Sequence, residues 1–358
     1  MSPSGTALDL ACALVRLDTR GGGERVAADL LANHLSDAGL TVAVHESRPG
    51  RANVVAHHGE QTPVTLTGHL DTVPADEAAW SFDPLAGDVV DGRLRGRGAS
   101  DMKAGVAAAV VAAAEHVRAG GTGVQVVLTF GEETGCEGAR EIPADALRPS
   151  GTLLVAEPTN NRVVLGHKGV LWLELRARGV PAHGSRPDLG HNALVDLARA
   201  AVRVHEHDRW PTSATHGATT ANVGMMRAGI QPNVVPDRAA LTVDLRLVPG
   251  DTADAAEATV VDLAGVAVET ERLVELPLID TDPGRVARAV ELLGGGEPRY
   301  ATYFTDASVL AGALGGADTI VCGPGEPEQC HVTDEWAPAD LIGPAAAAYR
   351  RVLAELTS

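Results

Sequence analysis

Aromatic residues supply only 3% of this 358-residue chain, so Ala and Val must fill the core volume that bulkier rings usually occupy. Long apolar runs are missing too. The richest stretch, Ala104 to Ala114, is about half of the ~20 residues needed to cross a bilayer. Basic charge is scarce: 29 Lys and Arg against 47 Asp and Glu give a formal net charge of −18. That balance argues against nucleic acid and anionic membranes, which both require a basic footprint. The four cysteines (Cys12, Cys136, Cys322, Cys330) form no Cys-x-x-Cys pair. They read as reduced, mostly buried thiols rather than a disulfide framework or a thiolate zinc site. Cys330 has no visible base and orienter to make it a nucleophile. Met1-Ser2-Pro3-Ser4-Gly5 lacks the basic start and apolar core of a secretory signal, so a cytoplasmic protein is expected. No Gly-x-Ser-x-Gly occurs, which removes the common serine-hydrolase elbow.

What is present fits about two domains of globular composition. Apolar positions at helical spacing mark helices over about 6–16 and 23–38. Val64–Gly68, Val124–Phe130 and Thr152–Ala156 read as buried strands, with an Ala/Val helix over about 102–118 between the first two. This alternation predicts an α/β fold with a mainly parallel sheet covered by helices. Each of those strands runs into acids or histidine: His69 and Asp71, Glu132 and Glu133, Glu157. Ligands of open α/β sheets bind outside the carboxyl ends of the strands, so these residues have a route to converge. Residues 167–276 read differently: strand 170–178, helix 192–205, strands near 219–227 and 238–247, helix 252–264, strand 266–273. The βαββαβ order is the ferredoxin-like arrangement. An inserted domain at 167–276, between 1–166 and 277–358 of a first domain, is expected.

Taken singly, the motifs have ordinary alternatives. His69 and Asp71, two apart on an extended chain, point to one side. Asp71 could then hold the tautomer of a metal-binding His69, yet a His-x-Asp pair is common by chance. Gly96-Arg97-Gly98-Ala99-Ser100-Asp101 superficially resembles a dinucleotide fingerprint. It lacks the third glycine and no strand is expected just before it, so NAD binding is rejected. Asp101 could simply cap a helix. Glu132 and Glu133 repel each other unless a cation is near, or else form an exposed loop pair. Glu157 and His331 follow strand-like segments. His205-Glu206-His207-Asp208 lacks His-Glu-x-x-His spacing and reads as a solvated helix end, and His57, His58, His191 and His216 likewise look superficial.

As a set, two histidines and several carboxylates without thiolates suit zinc-type ions with mixed N/O ligation, whereas calcium prefers oxygen alone. If Asp101 bridges two divalent ions, with Glu133 and Glu157 on one each, the positive charge of the metals is balanced by three carboxylates and a hydroxide. A single ion would leave excess negative charge at low dielectric. Two metals are therefore preferred.

These residues resemble the dinuclear zinc aminoacylase and exopeptidase family that contains acetylornithine deacetylase and succinyl-diaminopimelate desuccinylase. The likeness runs over GHLDTVP (68–74), GRGASDMKAG (96–105), TFGEETG (129–135), AEPT (156–159), GVPAHGSRP (179–187), NVVP (233–236) and CGPGEPEQCH (322–331). The resemblance implies that His69 and Glu157 hold one zinc, Glu133 and His331 the other, and Asp101 both. It makes Asp71 the orienter of His69 and Glu132 the general base. It implies that His183, on an inserted lid and dimerisation domain, enters the active site of the partner subunit of a homodimer near the developing oxyanion. Arg246 would bind the substrate carboxylate, with Asn233 nearby, though a strand-end ion pair and a turn are alternatives for these two. Cys330 departs from the small residue expected before the histidine. The implied activity is hydrolysis of a small N-acylated amino acid, acetylornithine deacetylase-like, with Co2+ able to replace Zn2+. Desuccinylase and carboxypeptidase or dipeptidase activity are alternatives. A non-catalytic zinc scaffold would show a lost base or ligand, and none of the seven positions is lost.

Overall fold

The computed structural model describes residues 6–357; residues 1–5, on which the absence of a secretory signal was read, and residue 358 lie outside the described residues. By contact density the chain divides into two units. Of the described residues, one comprises 6–166, 279–299 and 305–357, and the other 167–278 with 300–304.

In the first unit, Thr6 and Asp9 exchange hydrogen bonds in a capping box that opens α1 (Ala7–Val15), a device that satisfies two otherwise unpaired amides. Helix α2 (Arg25–Ser36) follows. The strands β1 (Thr41–Arg48) and β2 (Arg51–His58) form a hairpin, whose turn needs Gly50 at φ +81°. Next come β3 (Val64–His69), α3 (Ala104–Arg118), β4 (Val124–Thr129) and β5 (Thr152–Val155). All six residues of β3 and of β4 are buried, as expected of strands covered on both faces. Helix α3 is buried from Ala104 through Ala114. Its small residues let it press onto the sheet: a Cβ on Gly105 would lie 1.9 Å from the Ala156 carbonyl oxygen. That close approach is where the shortage of aromatic residues becomes architecture.

The second unit holds β6 (Gly169–Arg178), α4 (Ala193–His205), β7 (Thr220–Ala228), β8 (Arg238–Leu247), α5 (Ala253–Ala264) and β9 (Glu269–Leu276). Its sheet order is β7-β8-β6-β9, antiparallel throughout. Along β6 and β8 alternate residues are buried. Leu171, Leu173 and Leu175 of β6 and Leu241, Val243 and Leu245 of β8 share one core with Leu197, Val204 and Val260 of the helices. The expected βαββαβ order is present, with the last strand three residues later than its periodicity suggests.

The chain then supplies β10 (Asp318–Val321) and α6 (Ala339–Leu356) to the first unit. The large sheet begins in the order β1-β2-β4-β3-β5-β10. Within that run β4, β3, β5 and β10 are parallel to one another, while β1–β2 and β2–β4 are antiparallel. The sheet is therefore mixed, which corrects the expectation of a mainly parallel one. The half-exposed β1 carries no buried-strand signal, and its hairpin brings β2 alongside β4 in the opposite sense. A second correction concerns Gly96. A three-residue strand, Arg93–Arg95, does precede it, but inside a small antiparallel sheet with Asp88–Val90 and Trp336–Pro338. Among the described residues, no helix is long and apolar enough to cross a membrane.

Candidate metal centre

Register places the candidate residues at one edge. His69 is the last residue of β3 and pairs with Thr129, the last of β4. β5 ends at Val155, two residues before Glu157, and β10 ends ten residues before His331. Parallel neighbours with matched ends deliver their following loops to the same place.

Asp101 joins the set together. Its Oδ1 lies 3.1 Å from His69 Nε2, and its Oδ2 lies 3.3 Å from His331 Nε2. Glu157 Oε1 is 3.7 Å from His69 Nε2, and Glu133 accepts from His331 Nε2 at 3.0 Å. Two half-sets, each one imidazole and one carboxylate, thus share the two oxygens of Asp101. Ligand atoms of His69, Asp101 and Glu133 lie within 4.8 Å of one another, a grouping that crosses the two half-sets through Asp101. Asp101 does not cap a helix. The turn before α3 has no side-chain cap, and Gly98 takes the left-handed conformation there.

Asp71 holds this arrangement from behind. Its two carboxylate oxygens accept the backbone N–H groups of Glu132 and Glu133, each at 3.2 Å. His69 Nδ1 is nearer the main-chain oxygen of Asp71, at 3.0 Å, than its carboxylate, at 3.5 Å. The orienting contact expected of the carboxylate is therefore shared with the backbone. Glu132 is only 6% exposed, so the adjacent acids are not an exposed loop pair.

The electrostatics are those of acids crowded out of water. Burial pushes the Glu132 and Glu157 carboxyls well above the usual range, and neighbouring acids add to this. Hydrogen bonds to Asp101 and Glu133 raise His331 to about 10. Burial works against Asp101, yet the imidazoles of His331 and His69 hold its carboxyl below the ordinary value. Cations placed among these oxygens would relieve the repulsion, and mixed imidazole and carboxylate donors suit zinc-type ions. The donor set fits the divalent pair that the sequence implied.

Two buried carboxylates beside this centre escape the sequence reading. Asp306 accepts a hydrogen bond from Thr129 Oγ1, and burial lifts its carboxyl to about 6. Glu335 is fully buried, and its oxygens face the Gly96–Asp101 loop. Glu335 stands four residues beyond His331, where the motif ends. Asp306 follows no strand that periodicity reveals.

The remaining residues belong to the second unit. His183 is exposed, with Nδ1 2.8 Å from Ser185 Oγ. The Gly184 N–H donates to the Asn233 carbonyl at 2.7 Å, and His183 bridges Val234, so His183 and Asn233 share one end of that unit. Arg246 lies near the far end of β8, eight residues beyond Arg238, about 26 Å at about 3.3 Å per residue. Its guanidinium is ion-paired with Asp244 at 2.9 Å and lies over Phe304. The strand ion pair weighed for Arg246 is present. His216 is buried beside Tyr300, with ring centroids 4.7 Å apart, which corrects its superficial reading. Burial likewise hides His167. Its strand gives no hint that the side chain is enclosed and lowered to about 4. All four cysteines are free.

The family model described as peptidase family M20/M25/M40 matches residues 65–355. The chain is 31% identical over 347 residues to an acetylornithine deacetylase of Vibrio campbellii, covering 90% of this chain and 89% of that protein. It is 33% identical over 296 residues to a probable carboxypeptidase of Aspergillus clavatus, covering 75% and 66% respectively. A dinuclear metal-binding peptidase of Bacillus subtilis has the same fold, with a TM-score of 0.73 at 14% identity over 98% of this chain and 97% of that one.

Proposed function

Because the chain belongs to peptidase family M20/M25/M40 and is a hydrolytic enzyme acting on amides, we propose that it removes the acyl group from a small N-acylated amino acid with the help of two zinc ions. The observation that carries this reading is Asp101, whose two oxygens are divided between His69 and His331. His69 and Glu157 would hold one ion, Glu133 and His331 the other, and Asp101 both. Ions held there would supply Lewis acidity and would lower the pKa of an attacking water to near neutrality.

The chain supplies the rest. Asp71 fixes the Glu132–Glu133 backbone and faces the ring of His69. Glu132 takes the proton of the attacking water and returns it to the leaving amine, as a positioned general base and acid. His183 steadies the oxyanion, Arg246 pairs with the substrate carboxylate, and Asn233 lies beside His183. About 26 Å along one strand separates the two ends of the inserted unit, too far for His183 and Arg246 of one copy to grip one small molecule. A homodimer, in which His183 and Asn233 come from the partner subunit, resolves this. The inserted domain would then serve as lid and dimerisation surface, in the cytoplasm.

The acetylornithine deacetylase-like reading rests on similarity along nine-tenths of the chain. Desuccinylase and carboxypeptidase or dipeptidase activities are the competing substrate classes. A panel of N-acetyl amino acids, N-succinyl amino acids and dipeptides, assayed with Zn2+ and then with chelator, separates them. N-acetyl substrates should turn over fastest, with activity lost to chelator and restored by Zn2+ or Co2+. Hydrolysis indifferent to chelator would sink the reading.

A further inference from the structure

Glu335 makes no contact assigned above to catalysis, yet it is enclosed completely. A buried carboxylate is costly unless its lone pairs are satisfied, and here four donors satisfy them. Oε2 accepts from Arg97 Nη1 at 2.7 Å and Gly98 N at 2.9 Å. Oε1 accepts from Ser100 N at 2.9 Å and Asp101 N at 3.1 Å. The Glu335 carbonyl takes the Gly96 N–H at 2.9 Å, and Ser100 Oγ donates to the Trp336 carbonyl at 2.8 Å. The loop that carries Asp101 is thus folded around one side chain.

That side chain is also tethered to the other end of the centre. Only three residues separate Glu335 from His331, whose Nε2 lies 3.3 Å from Asp101 Oδ2. The contacts close a ring: Asp101 backbone to Glu335, along the chain to His331, and from its imidazole back to the Asp101 carboxylate. Glu157 and His69 hang instead from β5 and β3, outside this ring. We propose that Glu335 is a positioning residue that sets the separation of Asp101 and His331, and so governs affinity for the ion on the His331 and Glu133 side more strongly than for the one on the His69 and Glu157 side, which shares Asp101 but not His331. This inference rests on the two-ion reading of the centre.

Glu335→Gln keeps the size but turns one acceptor oxygen into an amide that faces two donors. Glu335→Asp keeps the charge on an arm one methylene shorter. The full-length wild type and both variants are titrated with Zn2+ against a competing chelator, and bound zinc per chain is counted. In Glu335→Gln one of the two zinc affinities should fall about 10–100-fold, the range for residues that orient ligands. The other should stay within about threefold, and Glu335→Asp should recover part of the loss. With N-acetyl substrate at limiting zinc, kcat falls and added zinc restores it, while KM barely moves. Equal loss at both positions, or two unaltered affinities, overturns the proposal. If Glu335→Gln does not fold, Glu335→Asp alone decides, since unaltered zinc binding there also overturns it. A wild type that binds no zinc would instead refute the two-ion reading itself.

Discussion

Glu132→Gln separates chemistry from architecture within one side chain. The variant keeps the shape of a residue that is 6% exposed, and it keeps the backbone N–H that Asp71 accepts at 3.2 Å. What it loses is the capacity to take and return a proton. A positioned acid–base group contributes about 10²–10⁴ in rate, which corresponds to about 2.7–5.4 kcal/mol of barrier. Stability should move the other way. Burial raises the Glu132 carboxyl, and Glu157, Glu133 and Asp306 raise it further against the pull of His69. A group raised in the folded state destabilises the fold once pH exceeds its unfolded value, so the neutral amide relieves a cost that the metal-free protein carries. The assay is steady-state hydrolysis at saturating Zn2+, with zinc content by mass spectrometry and thermal melting of the metal-free form. The expected result is kcat lower by about 10²–10⁴, unchanged zinc content, and a metal-free midpoint no lower than wild type. A fall of less than about tenfold at full zinc content would refute the assignment of Glu132 as base.

Four further outcomes follow from the geometry. Asp71→Asn puts an amide donor against the N–H of Glu132 or Glu133 and should weaken zinc binding about 10–100-fold, measured by chelator competition; unchanged affinity would show that the main-chain contact to His69 suffices. Gly105→Ala drives a Cβ to 1.9 Å from the Ala156 carbonyl and should cost about 1–3 kcal/mol by overpacking, whereas Gly312→Ala meets nothing within 4 Å; equal denaturation midpoints for the two would contradict the packing described. Burial lowers His167 from 6.5 to about 4, so the unfolded chain binds a proton that the folded chain refuses, and up to about 3 kcal/mol should drain away as pH falls through that window; a His167→Gln protein with the same slope of stability against pH would disprove this. Removing zinc with chelator should lower the melting midpoint in proportion to the logarithm of free zinc, as for any ligand bound only by the folded state; a midpoint insensitive to zinc would exclude a bound ion.

The distribution of these effects explains what is legible along the chain. Strands buried on both faces betray themselves as short runs rich in Val, Leu and Thr, and β3, β4 and β5 stand out for that reason. The acids and imidazoles at their ends are legible because parallel strands point their carboxyl ends one way. By contrast β1 is half exposed, and its antiparallel pairing depends on a hairpin rather than on hydrophobic pattern. Asp306 and Glu335 pass unnoticed because a buried carboxylate looks, in a chain of net charge −18, like one more surface acid.

The sequence by itself determined the order of strands and helices, including the βαββαβ run of the second unit, because periodicity is a local property; that residues 300–304 join that unit was decided only by the fold. It also determined which residue types could gather: imidazoles and carboxylates without thiolates. The bridging place of Asp101 was implied by resemblance, but the distances that divide its oxygens between His69 and His331 come from the tertiary structure. It alone decided that Glu335 folds the Asp101 loop around itself across more than two hundred residues of chain. Such contacts depend on distances between segments remote in sequence, and no spacing along the chain encodes them.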